Sequence, residues 1–127
     1  MISKILLFAC LLPLLVPQAR GQTAGTKHIL TEAMAVEKVM QLPEVERANA
    51  YIRQHSIDKR KLFAMIYGVP TRQQPYYWVA VGEDNGMSFV THFGFHVYIR
   101  TGKIWYIDTL NGTEIDLRTW RKSRRKH

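Results

Sequence analysis

The chain has 127 residues, with 18 Lys or Arg, 10 Asp or Glu and one Cys. That is material for one small domain and too little for two. At 46% hydrophobic and 22% charged residues the proportions are globular and exclude wholesale disorder.

The first segment carries an export pattern. Lys4 opens a short basic stretch, and Ile5 to Val16 form an apolar run interrupted by Pro13. Ala19-Arg20-Gly21 then supplies small residues at −3 and −1 of a cleavage site. This predicts a signal peptide over 1–21 and export to the periplasm or exterior of a bacterial cell. Twelve apolar residues reach roughly 18 Å against a hydrocarbon core of ~30 Å, so no transmembrane anchor is expected after cleavage. Leu7-Phe8-Ala9-Cys10 resembles a lipoprotein box, although the apolar run continues past Cys10. Cleavage after Gly21 leaves no cysteine, which removes disulfides, thiolate catalysis and cysteine metal sites together.

Loss of Lys4 and Arg20 lowers the formal charge from +8 to +6. Residues 22–117 hold ten basic and ten acidic side chains, so the body of the domain is neutral. The surplus lies in Arg118, Arg121, Lys122, Arg124, Arg125 and Lys126. A basic tail over 121–127 reads either as an attraction to anionic lipid, polysaccharide or nucleic acid, or as a solvated helix end whose cations suit the C-terminal dipole. No aromatic residue beyond Trp120 interleaves with these cations as base stacking would require, so no specific nucleic-acid site is expected.

Residues 22–30 are a short polar lead-in. In the domain over 31–120, Thr31 is suited to cap a first helix carrying Ala33, Val36, Val39 and Met40. Pro43 suits the first turn of a second helix, with Val45, Ala48 and Ile52 on its core face and Glu44, Glu46, Arg47 and Arg53 off it. From Leu62 the pattern changes to β: strands over Leu62–Val69, Tyr76–Gly82, Ser88–Arg100 and Lys103–Leu110, with turns at Asp84-Asn85-Gly86, Thr101-Gly102 and Asn111-Gly112. Asp116 is placed to cap a terminal helix with Leu117 and Trp120. The expected fold is α+β: N-terminal helices packed on one face of a four-stranded antiparallel meander, with a short C-terminal helix.

In the third strand the odd positions Phe89, Thr91, Phe93, Phe95, Val97 and Ile99 must face the helices. A two-residue Asn85-Gly86 loop would set Trp78 opposite Phe93 and Tyr76 opposite Phe95. A three-residue Arg100-Thr101-Gly102 loop would set Val97 opposite Trp105 and Phe95 opposite Ile107. The other face then collects Tyr77, Val79, Val81, Val90, His92, His96, Tyr98, Ile104 and Tyr106. That composition is greasier than a solvated sheet face and typical of an interface core. The expected partner-binding residues are His96, Tyr98, Ile104, Tyr106, Tyr77 and Val79, serving a protein partner or a homodimer. The competing expectation is that the terminal helix folds over this face through Leu117 and Trp120. A slip at Gly94, a natural bulge site, would exchange the assignments.

Catalytic and metal patterns are sparse. His92 and His96 on a strand lie ~13 Å apart, too far to share an ion, and no Glu between them makes a zincin motif. No nucleophile elbow surrounds Ser88, no carboxylate pair suggests glycoside hydrolysis, and there is no phosphate-cradling Gly-rich loop. No cofactor or metal is expected. His92, His96 and Asp108 together are the alternative: a small hydrolase set, if they converge. Asn111-Gly112-Thr113 matches an N-glycosylation sequon, which a turn explains equally well.

The run Tyr76-Tyr-Trp-Val-Ala-Val-Gly and the stretch Phe95-His-Val-Tyr-Ile-Arg-Thr-Gly-Lys-Ile-Trp-Tyr-Ile-Asp108 resemble a PepSY-type repeat and, more broadly, cystatin-like small exported domains. The likeness covers about a third of the chain and rests on a strand ending in a Thr-Gly-Lys-Ile turn. It implies a non-catalytic binding or inhibitory role toward an extracytoplasmic enzyme, with no catalytic residues to transfer. The two N-terminal helices, the Asn111-Gly112 extension and the basic tail depart from that pattern. The expectation is therefore a non-enzymatic exported protein-binding module, with a hydrolase or an anionic-surface binder acting through Arg121, Lys122, Arg124, Arg125 and Lys126 as alternatives.

Overall fold

A computed structural model of the chain describes residues 28–126. The signal peptide expected over 1–21, its Cys10, residues 22–27 of the lead-in and His127 lie outside the described residues. Among the described residues, no helix is long and apolar enough to cross a membrane.

Two helices come first. In α1 (Glu32–Met40) the Thr31 hydroxyl accepts from the Met34 N–H at 3.3 Å, closing the first turn. Pro43 opens α2 (Pro43–His55) after Leu42, which offers no side-chain cap. Five antiparallel strands follow: β1 (Phe63–Gly68), β2 (Tyr76–Asp84), β3 (Phe89–Tyr98), β4 (Ile104–Ile107) and β5 (Glu114–Asp116), side by side in sequence order. The Asp116 carboxylate accepts from the Arg118 N–H at 2.8 Å and starts α3 (Leu117–Arg124). The fold is α+β as expected, with one strand more. Glu-Ile-Asp in β5 is too short and too polar to carry a strand pattern of its own; it pairs because the turn at Gly112, with φ +71°, returns the chain beside β4.

All three helices contribute to one core. Ala35, Val39, Leu42 and Val45 pack with Val79, Val81, Phe93, Phe95, Val97 and Trp120. Trp120 stacks on Tyr106 with centroids 4.4 Å apart and meets Phe93 and Phe95 edge-on. The terminal helix thus shelters the same sheet face as the N-terminal helices, and the competing expectation holds for Tyr77, Val79, Val81, Ile104 and Tyr106, which pack with Leu117 and Trp120, but not for His96 and Tyr98. It also extends to Arg124, into the segment read as a basic tail.

The strand registers differ from expectation in a way that exchanges faces. Val79 lies opposite Phe95 and Val81 opposite Phe93; Phe95 lies opposite Tyr106 and Val97 opposite Ile104. The inward set of β3 is as expected from Phe93 to Val97, whereas β2 and β4 are turned over. Two causes are visible. The β2–β3 loop spans four residues, because the Asn85 side chain accepts from the Met87 and Ser88 N–H groups and Asp84 from that of Gly86. Two extra loop residues preserve the face. The inversion comes from a bulge: Thr91 pairs with Gly82 and Phe93 with Val81, leaving His92 unpaired between them. At the next turn Ile99 is held elsewhere, donating to Pro75 O and accepting from the Leu30 N–H. The β3–β4 loop therefore gains one residue, which flips β4.

Candidate binding face

The corrected registers place Phe63, Met65 and Tyr67 of β1, Tyr76, Trp78 and Ala80 of β2, Phe89, Gly94, His96 and Tyr98 of β3, and Trp105 and Ile107 of β4 on the sheet face away from the helices. No described helix covers it. Of the six expected partner-binding residues, His96 and Tyr98 lie on this face. Tyr77, Val79, Ile104 and Tyr106 do not: they face the helices and pack in or against the core, with Val79 fully buried. The outer face is aromatic nevertheless, through residues that the inverted registers had assigned to the interior.

Its centre is a groove of about 280 Å³. Ala80 and Gly94 oppose each other across β2 and β3 and form its floor. Small side chains at both positions leave a depression between taller neighbours. Tyr67 and Trp78 wall one side, edge to face at 5.7 Å, and the Tyr67 hydroxyl lies 3.4 Å from that of Thr91. Ile107, Asp108 and Gly112 close the other side. Trp78 is 41% and Tyr67 48% exposed, and the neighbouring Phe63 and Met65 are also exposed in part. Phe63 and Phe89 meet at 5.0 Å and continue the aromatic surface toward the β2–β3 loop.

Beside the groove lies a polar assembly. His96 stacks on Tyr76 at 3.8 Å and touches the edge of Trp78. Its Nδ1 is 2.6 Å from Glu114 Oε1, and the Tyr98 hydroxyl donates to the same oxygen at 2.8 Å. Because a carboxylate only accepts, the proton of that contact sits on Nδ1. Burial, then the Glu114 hydrogen bond and charge, push the Tyr98 phenol up to about 12. Burial and the Glu114 charge raise Tyr76 as well. Both phenols stay protonated at neutral pH, and one Glu114 oxygen holds two rings of β3, those of His96 and Tyr98. Glu114 was invisible in the sequence because it belongs to the three-residue β5.

The alternative catalytic set does not assemble. His92 Nε2 lies 3.4 Å from Glu83 at the bulge, His96 is tied to Glu114, and Asp108 accepts from the Leu110 N–H of its own turn at 2.9 Å. Among the described residues, no three His, Cys, Asp or Glu side chains converge as metal ligands. Asn111 is exposed and its side chain accepts from the Thr113 N–H at 3.0 Å, closing the sequon turn.

Lys122, Arg124, Arg125 and Lys126 are all exposed, but the arginines have neighbours that the lysines lack. Arg121 binds Glu44, Arg124 lies 4.9 Å over the Trp120 ring, and Arg125 lines a cavity with both. Glu44, expected off the core face of α2, is only 5% exposed.

The fold and both surfaces define a small α+β domain with one helix-covered and one open sheet face. No family model, curated protein or solved structure matches the chain.

Proposed function

We propose that this chain is an exported, non-enzymatic binding module whose outer sheet groove receives an apolar side chain of a partner protein followed by a basic residue. One observation carries the reading: the Ala80–Gly94 groove, walled by half-exposed Tyr67 and Trp78 on a face that no described helix covers. Exposed contiguous apolar surface of this kind marks association sites, and Trp and Tyr are the side chains that dominate binding energy at such sites. The partner's chemistry follows from the lining. Among the described residues, Asp108 is the one charged residue lining the groove and no cation joins it, so a Lys or Arg beside the inserted apolar group finds a complementary carboxylate. Restraint of an extracytoplasmic enzyme, implied by the PepSY-type resemblance, would be one use of that groove.

The test is selection from a displayed library of random peptides on the full chain. Enrichment of an apolar residue followed by Lys or Arg is expected, with binding lost in Trp78→Ala and in Gly94→Val. A Cβ at Gly94 meets ordinary contacts, 3.6 Å to the Ile107 Cβ and 3.7 Å to the Trp78 indole nitrogen, so a side chain can start there without a clash, and the circular dichroism spectrum of Gly94→Val checks that the larger group leaves the fold intact. Enriched peptides that bind Gly94→Val as tightly as the native chain would overturn the proposal, as would the absence of any apolar–basic enrichment.

A further inference from the structure

A second cavity lies on the opposite side of the molecule, between the first turn of α2 and the last turns of α3. It measures about 260 Å³ and is lined by Glu44, Arg47, Arg121, Arg124 and Arg125. Four guanidinium groups and one carboxylate leave the lining three positive charges in excess. A volume near 260 Å³ is several times the ~30 Å³ share of one water molecule in the liquid, so a polyatomic group fits.

Two features separate this cavity from a solvated basic tail. First, its cations are selected by geometry. Arg121, Arg124 and Arg125 recur at i, i+3 and i+4 and so share one side of α3, whereas Lys122, Lys126 and Arg118 do not line the cavity. Arg47 joins them from another element, 74 or more positions earlier in a neutral stretch of sequence. Second, two of the four arginines are held. Buried Glu44 accepts from Arg121 Nε at 2.5 Å and from Nη2 at 3.3 Å, and Arg124 rests on Trp120 and, at 5.8 Å, on Phe93. Among the described residues, Arg47, Arg124 and Arg125 form no ion pair. The start of α2 adds the positive end of the helix dipole next to Glu44. Arg121 and Arg124 are thus fixed beside Arg47 and Arg125, and of these four only Arg121 has a counter-charge among the described residues. Guanidinium forks match the oxygen geometry of phosphate better than that of a spherical anion.

We infer that this cavity binds a phosphate monoester group, with Arg47, Arg124 and Arg125 as its direct contacts and Arg121 positioned by Glu44. The group is either free in solution or presented by a lipid headgroup. This site is independent of the outer groove, and neither proposal depends on the other.

The experiment titrates the full chain with inorganic phosphate by calorimetry and, separately, with phosphatidylcholine vesicles containing phosphatidic acid. Saturable binding of one phosphate per chain is expected. Arg47→Ala should weaken it about tenfold or more, as loss of a charged hydrogen-bond partner does, and Arg47→Lys should fall between, keeping the charge but not the fork. Neither change breaks an ion pair of the fold, and the circular dichroism spectrum monitors folding throughout. Lys122→Ala/Lys126→Ala should stay within about twofold of the native chain, since those residues lie outside the cavity. Arg47-dependent capture by the vesicles with no binding of free phosphate assigns a lipid-borne group, whereas free phosphate bound as tightly as vesicles assigns a soluble one. Failure of both probes to saturate overturns the inference. So does binding that survives Arg47→Ala or falls equally in the Lys122/Lys126 variant, because diffuse attraction to the tail would then suffice.

Discussion

Arg121 and Glu44 stand 77 positions apart in the chain, yet the Arg121 guanidinium donates to both oxygens of the Glu44 carboxylate, at 2.5 and 3.3 Å. The pair fastens the last helix to the start of α2 and supplements the hold that Trp120 and Leu117 give α3 on the core. Burial by itself would push the Glu44 carboxyl up. The Arg121 hydrogen bond, its own backbone N–H and the charges of Arg121 and Arg47 outweigh burial and hold it below the usual carboxylate range.

Replacing Glu44 by Gln should therefore loosen α3. With Arg121 38% exposed, the loss should be roughly 2 kcal/mol, below the ~3–5 of a fully buried pair. The pH dependence has a definite sign. A carboxyl whose folded value is depressed stabilises the fold above the unfolded value of about 4.3 and loses that contribution as the pH falls further, through the lower folded value. Urea midpoints of the native chain should thus drop below about pH 4, and Glu44→Gln should flatten that drop. A native-like acid limb in the variant would remove Glu44 as its source.

Gly82 is the residue on which the β2–β3 register turns. A Cβ built there would lie 2.0 Å from the Val90 carbonyl oxygen and 2.9 Å from the Phe89 ring, because the bulge at His92 folds the partner strand close over it. Gly82→Ala must open the bulge, and a loss on the order of 2–4 kcal/mol is expected, at the severe end for one methyl group. Gly94→Ala, with no atom nearer than 3.6 Å to its new Cβ, should change the thermal midpoint little. Equal midpoints for the two variants would mean that the strand does not need the bulge.

That bulge also explains what could be read from the sequence and what could not. The helices, the order of the strands and the inward set Phe93, Phe95 and Val97 follow from periodicity, which is a local signal. Which side of β2 meets that set depends on one unpaired residue. The feature that makes the bulge necessary, Val90 O pressed against Gly82, exists only once the strands are paired. Gly94 looked like the natural bulge site and instead floors the groove opposite Ala80. Ile99 follows the same logic, leaving the β3–β4 ladder for partners at Leu30 and Pro75 that lie far off in sequence. An aromatic open face was legible as composition, while its membership required the fold.

Tyr98 supplies an alkaline counterpart to Glu44. Its phenol is pushed up to about 12 by burial and by the Glu114 carboxylate that accepts its proton. A group whose folded value is raised contributes fully below the unfolded value of about 10 and loses that contribution as the pH rises through the folded one. Stability should thus decline between about pH 10 and 12. Tyrosinate absorbance should show a late-titrating phenol that moves down in Glu114→Gln, where hydrogen bond and charge both weaken. A late phase unaffected by that change would leave burial as its sole cause. Tyr98→Phe should cost about 1.5–3 kcal/mol at neutral pH, the net worth of one hydrogen bond to a charged group.

Trp78 and Val79 are neighbours in sequence on opposite faces, so the two together test the corrected register more sharply than either alone. Val79 is fully buried opposite Phe95, and Val79→Ala leaves a cavity where three helices meet the sheet; a loss of roughly 2 kcal/mol is expected. Trp78 stands 41% exposed at the groove wall, supported by Tyr67 and the edge of His96, and its removal should cost less than the ~3–5 kcal/mol typical of a core aromatic. For binding of the enriched apolar–basic peptides the order reverses: Trp78→Ala should abolish it, and Val79→Ala, while still folded, should retain it. The inverted register would make Trp78 the core residue and Val79 the contact, so unfolding midpoints and peptide titrations of the two variants exchange places between the alternatives. A Trp78→Ala chain that unfolds at much lower urea than Val79→Ala would return β2 to the opposite orientation, and with it the groove.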